Sequence, residues 1–194
     1  MNETAAAPRA GNDIGGDESG FFNSSAGSGI CRPLVRILDQ NKSVSRRFFE
    51  LINRLNKFFS ISRAVLIIND KDGDSLKMMT AWEQARLREG VMLTIPRENS
   101  LLRRASGIRV IINRSATGEF PPEYQGNFIE NNILFDKSTS SLAICPLFAG
   151  KTLMGITCLT SSAPFAFELI EEGYFDGIFR QLGEVLADEY MLSL

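Results

Sequence analysis

The chain has 194 residues, with 21 lysines and arginines against 23 aspartates and glutamates and no histidine. That length at ordinary apolar content suits one domain with a sizeable core and leaves little room for a second. A formal charge of -2 gives no electrostatic reason to expect nucleic acid or an anionic membrane as partner, and the lack of histidine removes the commonest general base, metal ligand and axial haem ligand together.

The opening residues have neither the basic start nor the apolar stretch of a signal peptide. The longest apolar runs, such as residues 64–68, fall far short of the roughly 20 that cross a bilayer. Three cysteines, Cys31, Cys145 and Cys158, are odd in number and irregular in spacing, which is no disulfide framework. A cytoplasmic protein in a reducing compartment is expected.

Residues 1–29 are dominated by Gly, Ser, Ala, Asn and acidic side chains, with Ile14, Phe21 and Phe22 as the sizeable apolar ones. Such a stretch cannot bury enough surface to offset its ordering entropy. It reads as a disordered tail ahead of a single domain spanning residues 30–194. From residue 32 to 59, Leu34, Ile37, Leu38, Val44, Phe48, Leu51, Ile52, Leu55 and Phe59 recur at intervals of three and four, the pattern of an amphipathic helix. Residues 41–45 divide it in two, with Asn41 or Ser43 as cap for the second piece. It either covers one face of a sheet or, in its upstream half, helps to form a dimer.

Residues 63–69 are a near-continuous apolar run of strand length, and Asp72-Gly73 turns the chain into a second strand over 76–82. Residues 91–95 supply a third strand. Residues 100–106, capped by Asn99 or Ser100, make about two turns of helix burying Leu101, Leu102 and Ala105, and 108–113 form a fourth strand. Residues 118–136 hold a loop and a short helix, with Pro121-Pro122 suited to a helix start and Tyr124, Phe128 and Ile129 on one side. Residues 140–147 and 151–160 form a hairpin about Ala149-Gly150, and the last helix covers 167–192. Adjacent strands bracketed by helices point to an α+β fold with a mainly antiparallel sheet.

The last helix carries two adjacent stripes. One runs Ile170, Tyr174, Ile178, Leu182 and Val185; the other runs Phe175, Phe179, Leu186 and Tyr190. One stripe would serve the sheet alone, so the second is expected to meet a partner chain in a bundle with the 32–40 helix. Gly173 and Gly177, four apart, would let another backbone come close. The expected homodimer interface is Leu34, Ile37, Phe175, Phe179, Leu186 and Tyr190; the alternative is a helix wholly buried in one monomer.

Several segments in this order resemble the GAF domain, a sensory and regulatory module. They are residues 55–59 (LNKFF) before the strand 64–68 (AVLII); Leu93-Thr94-Ile95-Pro96 leading to 100–105 (SLLRRA) and 110–113 (VIIN); Ser141-Leu142 with Cys145-Pro146-Leu147; and Leu153-Met154-Gly155-Ile156 with Pro164-Phe165. The resemblance covers roughly residues 44–191. It implies a five- or six-stranded antiparallel sheet with the N- and C-terminal helices on one face and a ligand pocket on the other, beneath the 118–136 insertion. It also implies a non-catalytic, signal-sensing role that controls an output domain or a partner protein, the ligand being an unidentified small molecule. On such a fold Trp82, Asn113, Tyr124, Phe128 and Thr157 are the expected ligand-binding positions, since pockets combine aromatic walls with a few polar groups. The alternative is an interaction scaffold whose pocket is filled by its own side chains.

Other chemistry is poorly served. Some GAF-like enzymes reduce free methionine sulfoxide with cysteines, but if Ala149 pairs with Thr152 then Cys145 faces Ile156 and Cys158 faces Ala143. The two thiols would then share a face one diagonal apart, about 7 to 8 Å, too far for an unstrained bridge. Both are expected to be buried structural cysteines. Residues 145–152 match the latter half of a phosphate loop but lead into a strand rather than a helix. Asp70, Asp72 and Asp74 imitate a calcium loop with its glycine and its twelfth residue misplaced. Asn131, Asn132, Phe135, Asp136 and Lys137 share the composition of cyclic-nucleotide GAF sites without their order. No cofactor and no metal are expected.

Overall fold

The structure, a computed structural model, describes residues 38, 41–69, 75–96, 98–135, 137–168 and 172–192. The tail, Leu34 and Ile37, and the acidic turn at 70–74 lie outside them.

Helix α1 (Val44–Phe59) follows from its periodicity: Val44, Phe48, Leu51, Ile52 and Leu55 are all buried on one stripe, and the chain leaves it through Ser60 in the left-handed region, φ 47°. Leu38, from the upstream segment, is buried in the same cluster. Ser43 precedes the helix without a side-chain cap. The Val44 N–H donates instead to the Glu189 carboxylate, 2.7 Å away.

The strands are β1 (Ile61–Asn69), β2 (Ser75–Glu83), β3 (Arg86–Pro96), β4 (Val110–Asn113), β5 (Ser141–Ala149) and β6 (Thr152–Ser161). They form one six-stranded sheet in the order β3-β2-β1-β6-β5-β4, with every pair antiparallel. Between β3 and β4 lies the one-turn helix α2 (Leu101–Arg104), and between β4 and β5 a 3₁₀ turn (Pro122–Tyr124) and helix α3 (Phe128–Leu134); α4 (Glu172–Leu192) closes the chain. This is the α+β architecture expected. The third strand begins earlier than its apolar core at 91–95, because Gln84-Ala85 makes a tight turn without glycine, both residues having positive φ of 48° and 60°.

The central strands are covered on both faces, which is why they read as apolar runs rather than alternating ones. Ala64, Leu66, Ala143, Cys145, Leu147 and Leu159 face α1 and α4. Val65, Ile67, Leu142, Ile144, Ile156 and Cys158 face α2 and α3. The terminal helices thus share one side of the sheet and the insertion takes the other.

One expectation is corrected by the hairpin register. Ala149 does pair with Thr152, but the register shifts between Leu147 and Phe148, so that Leu147 pairs with Gly155, Cys145 with Thr157 and Ile144 with Cys158. The extra residue is Met154. A one-residue slip reverses every side chain beyond it, so Cys145 lies toward the terminal helices and Cys158 toward the insertion. Gly155 sits at this kink because a Cβ there would collide with the Ile67 carbonyl oxygen.

The stripes of α4 are corrected as well. Phe175, Ile178, Phe179, Leu182 and Leu186 are all buried within one protomer, Phe175 and Phe179 stacking at 5.3 Å between ring centroids. The apolar sector of the helix is wide because it packs on both the sheet and α1. Its outward face carries Asp176, Gly177, Arg180, Glu184 and Asp188. Gly183 is the close approach: a Cβ there would meet the backbone of Phe148.

Candidate functional site

The insertion begins at Arg114, directly after β4. Its guanidinium donates from Nε to the Thr139 carbonyl (2.7 Å) and from Nη1 to the Gly118 carbonyl (2.8 Å), closing the two ends of the loop on each other. The same guanidinium lies 4.7 Å from the centroid of the Phe120 ring, a cation–π contact. Phe120 in turn meets Phe135 edge-on at 4.7 Å.

Pro122 opens the 3₁₀ turn, where a missing N–H costs nothing. Asn127 caps α3: its side chain accepts from the Glu130 N–H at 3.0 Å while the Glu130 carboxylate accepts from the Asn127 N–H at 3.1 Å, a capping box. Glu130 reaches further. Fully buried, it accepts the Ser100 hydroxyl at 2.5 Å and the backbone N–H groups of Leu101 (2.8 Å) and Leu102 (3.2 Å). One carboxylate therefore ties the first turn of α3 to that of α2, with four donors offsetting its desolvation.

Residues of the insertion also line an open cavity of about 490 Å³, within the size range of small-ligand pockets. Phe120, Tyr124 and Phe135 form its walls, and Arg114, Gln125 and Asn131 bring polar groups to it. Asn131 is held by two bonds to Gly126, accepting its N–H at 3.0 Å and donating to its carbonyl at 3.1 Å.

Of the five expected ligand-binding residues, Tyr124 lines this cavity. The others are scattered. Trp82 is buried on the terminal-helix side, its indole N–H donating to Asn53 Oδ1 at 2.8 Å, where it edges a separate cavity with Arg63 and Glu83. Phe128, at the first turn of α3, is 81% exposed. Thr157 is buried opposite Cys145, and its hydroxyl has no hydrogen-bond partner among the described residues. Asn113 donates to Glu168 Oε1 at 2.8 Å, and alternation along β4 places it on the terminal-helix side with Ile111. Of the expected interface, Phe175, Phe179 and Leu186 are inside the protomer, Leu34 and Ile37 lie outside the described residues, and so does the side chain of Tyr190.

Sequence reasoning did not assign Arg114, Phe120 or Gln125 to the pocket, and it missed Glu130. The last had a local signal, since Asn127-x-x-Glu130 ahead of Ile133 and Leu134 is a capping-box pattern. Both thiols are far from the state that does chemistry: burial pushes Cys145 and Cys158 well above the ordinary thiol range, which keeps them protonated and inert. Among the described residues no group of three histidine, cysteine or carboxylate side chains is placed to hold a metal, and no helix is long and apolar enough to cross a membrane.

No protein-family model matches the sequence and no curated protein matches it. Solved structures do. The GAF domain of the phosphoenolpyruvate-protein phosphotransferase from Acinetobacter superposes with a TM-score of 0.67 at 14% identity, over 87% of this chain and 97% of that one. The GAF domain of a two-component sensor histidine kinase from Bacillus halodurans gives 0.56 at 14% identity, over 76% and 95%. The free methionine-R-sulfoxide reductase of Neisseria meningitidis, in complex with its substrate, gives 0.61 at 13% identity, over 89% and 96%. The chain therefore folds as a GAF domain.

Proposed function

We propose that this chain is a non-catalytic, signal-sensing regulatory domain of GAF type, which binds a small molecule in the cavity formed by the insertion and homodimerises to control an output domain or partner protein. The observation that carries this reading is the cavity of about 490 Å³ on the face opposite the terminal helices, with aromatic walls and an arginine at its edge. Similar folds in a phosphotransferase and a sensor kinase support a regulatory role. Similarity to a sulfoxide reductase raises the catalytic alternative, and the thiols argue against it: Cys145 and Cys158 lie on opposite faces of the sheet and both are buried.

The test is a thermal-shift screen of the purified chain against a library of small metabolites. A hit raises the melting temperature of the wild type and loses its effect in Tyr124→Ala, which removes one wall of the cavity. A screen with no hit, or hits indifferent to Tyr124→Ala, contradicts ligand sensing at this site. Consumption of free methionine sulfoxide with a thiol reductant would contradict the non-catalytic part.

A second reading, an interaction scaffold without ligand, is favoured by one feature. Between the sheet and α2, the space is filled by Leu101, Leu102, Ala105 and Ile95 packed on Val65, Ile67 and Ile156. A protein that retains partners but no small molecule would support it.

A further inference from the structure

The end of α2 and the turn that follows it read Arg103-Arg104-Ala105-Ser106-Gly107-Ile108. This is the one place in the sequence where two arginines stand three and two residues ahead of a serine or threonine. Arg103, Arg104, Gly107 and Ile108 are exposed, Ile108 at 69%, and Ser106 is half-buried. A Cβ on Gly107 would meet nothing within 4 Å, so the segment after Ser106 has open space around it. The Ser106 hydroxyl donates to the Arg103 carbonyl at 2.7 Å. The Arg103 guanidinium makes no hydrogen bond or ion pair among the described residues. Arg104 Nη2 donates to the Gln125 carbonyl at 2.7 Å, and Gln125 lines the insertion cavity.

We propose that Ser106 is a phosphorylation site for a serine kinase whose substrate cleft carries carboxylates, and that the modification is relayed to the insertion cavity through Arg104. Carboxylates take the two guanidinium forks upstream of the serine. Drawing the segment into such a cleft gives up one surface hydrogen bond of Ser106 and the burial of the Ala105 methyl, while Glu130 keeps hold of Leu101 and Leu102 at the other end of α2. In the transfer the Ser106 Oγ–H bond breaks and its proton passes to the kinase's catalytic carboxylate. Oγ bonds to the γ-phosphorus of a nucleoside triphosphate, and the nucleoside diphosphate leaves. The product carries a charge of about -1.5 to -2 at pH 7 and three acceptor oxygens. Arg103, three residues back, is a neighbour on the same face, and the dianion competes for Arg104 with the neutral Gln125 carbonyl, a weaker acceptor. Phosphorylation therefore loosens a wall of the cavity, whether or not that cavity holds a ligand.

The experiment incubates the folded, ¹⁵N-labelled full chain with magnesium, ATP and a basophilic probe kinase, the catalytic subunit of cyclic AMP-dependent protein kinase. Peptide mass spectrometry is expected to place the phosphate on Ser106, and Ser106→Ala to abolish it. Loss of one charge-assisted contact corresponds to about tenfold in affinity, so Arg103→Gln, an exposed change that leaves the core intact, lowers the kinase's kcat/KM about tenfold. In the phosphorylated chain the amide signal of Gln125 is expected to shift. The proposal is overturned if no phosphate enters the folded chain, if Ser106→Ala is phosphorylated as well as the wild type, or if Arg103→Gln reacts as fast. A phosphorylated chain with the Gln125 signal unmoved overturns the relay.

Discussion

The backbone N–H of Val44, at the start of α1, donates at 2.7 Å to the carboxylate of Glu189, near the end of α4. Ser43 occupies the capping position but makes no side-chain bond there, so the cap of the first helix is supplied by the last one. A carboxylate at a helix N-terminus accepts an orphan N–H and meets the positive end of the helix dipole. Glu189→Ala should cost about 1 kcal/mol in urea unfolding, and Glu189→Gln, which keeps an acceptor but loses the charge, about half of that.

Glu130 is the more demanding position. Removing its side chain leaves the Ser100 hydroxyl and the N–H groups of Leu101, Leu102 and Asn127 without their buried acceptor. Unsatisfied buried donors cost roughly 1–3 kcal/mol each when no water replaces the partner, so Glu130→Ala should destabilise by at least about 3 kcal/mol. The same variant should loosen the insertion, seen as faster amide exchange at Leu101 and Leu102.

Two glycines on α4 make opposite predictions. Around Gly177 there is open space, whereas a Cβ on Gly183 meets the backbone of Phe148. Gly177→Ala should stabilise the chain by about 1 kcal/mol through helix propensity. Gly183→Ala should destabilise by about 2 kcal/mol, because backbone cannot move aside as a flexible side chain would. Equal effects at the two sites would contradict the seating of α4 on β5.

The β2–β3 turn places Gln84 and Ala85 at φ 48° and 60°, conformations that Asn-Gly adopts with little strain. Replacing the pair by Asn-Gly should raise stability by about 1 kcal/mol with the fold unchanged. Calorimetry checks it.

The thiols give the pH dependence. Burial raises Cys145 and Cys158 above the ordinary thiol value, so the folded state holds protons that the unfolded chain releases. Their contribution is fully present below about pH 8.5, the unfolded thiol value, and is lost as the pH rises toward the raised folded value. Cys158→Ala should reduce that alkaline loss. In the native protein neither thiol should react with iodoacetamide at neutral pH, and oxidation should produce no bridge between them.

Much of this fold was legible because local signals agreed. The apolar runs at 63–69, 140–147 and 151–160, the stripe from Val44 to Leu55, and the Ser100 cap each appear where the sequence put them. What escaped was geometry that no local pattern encodes. The Met154 bulge shifts a correct hairpin by one residue and moves Cys158 and Thr157 to faces opposite those a regular ladder assigns. Phe175 and Phe179 seemed spare because periodicity counts stripes, not the width of the surface that receives them. The cavity walls at Arg114 and Phe120 arise from a loop closed by an arginine on two carbonyls, a contact with no fixed spacing. Trp82 was drawn to the pocket by residue type, whereas the alternation of β2 delivers its indole to Asn53 on the other face.

Native mass spectrometry of the freshly purified full chain addresses the central claim most directly, since a single spectrum reports subunit number and any retained small molecule. The account predicts a dimer, with extra mass released on activation and absent from Tyr124→Ala. A bare monomer at every concentration tested would contradict it.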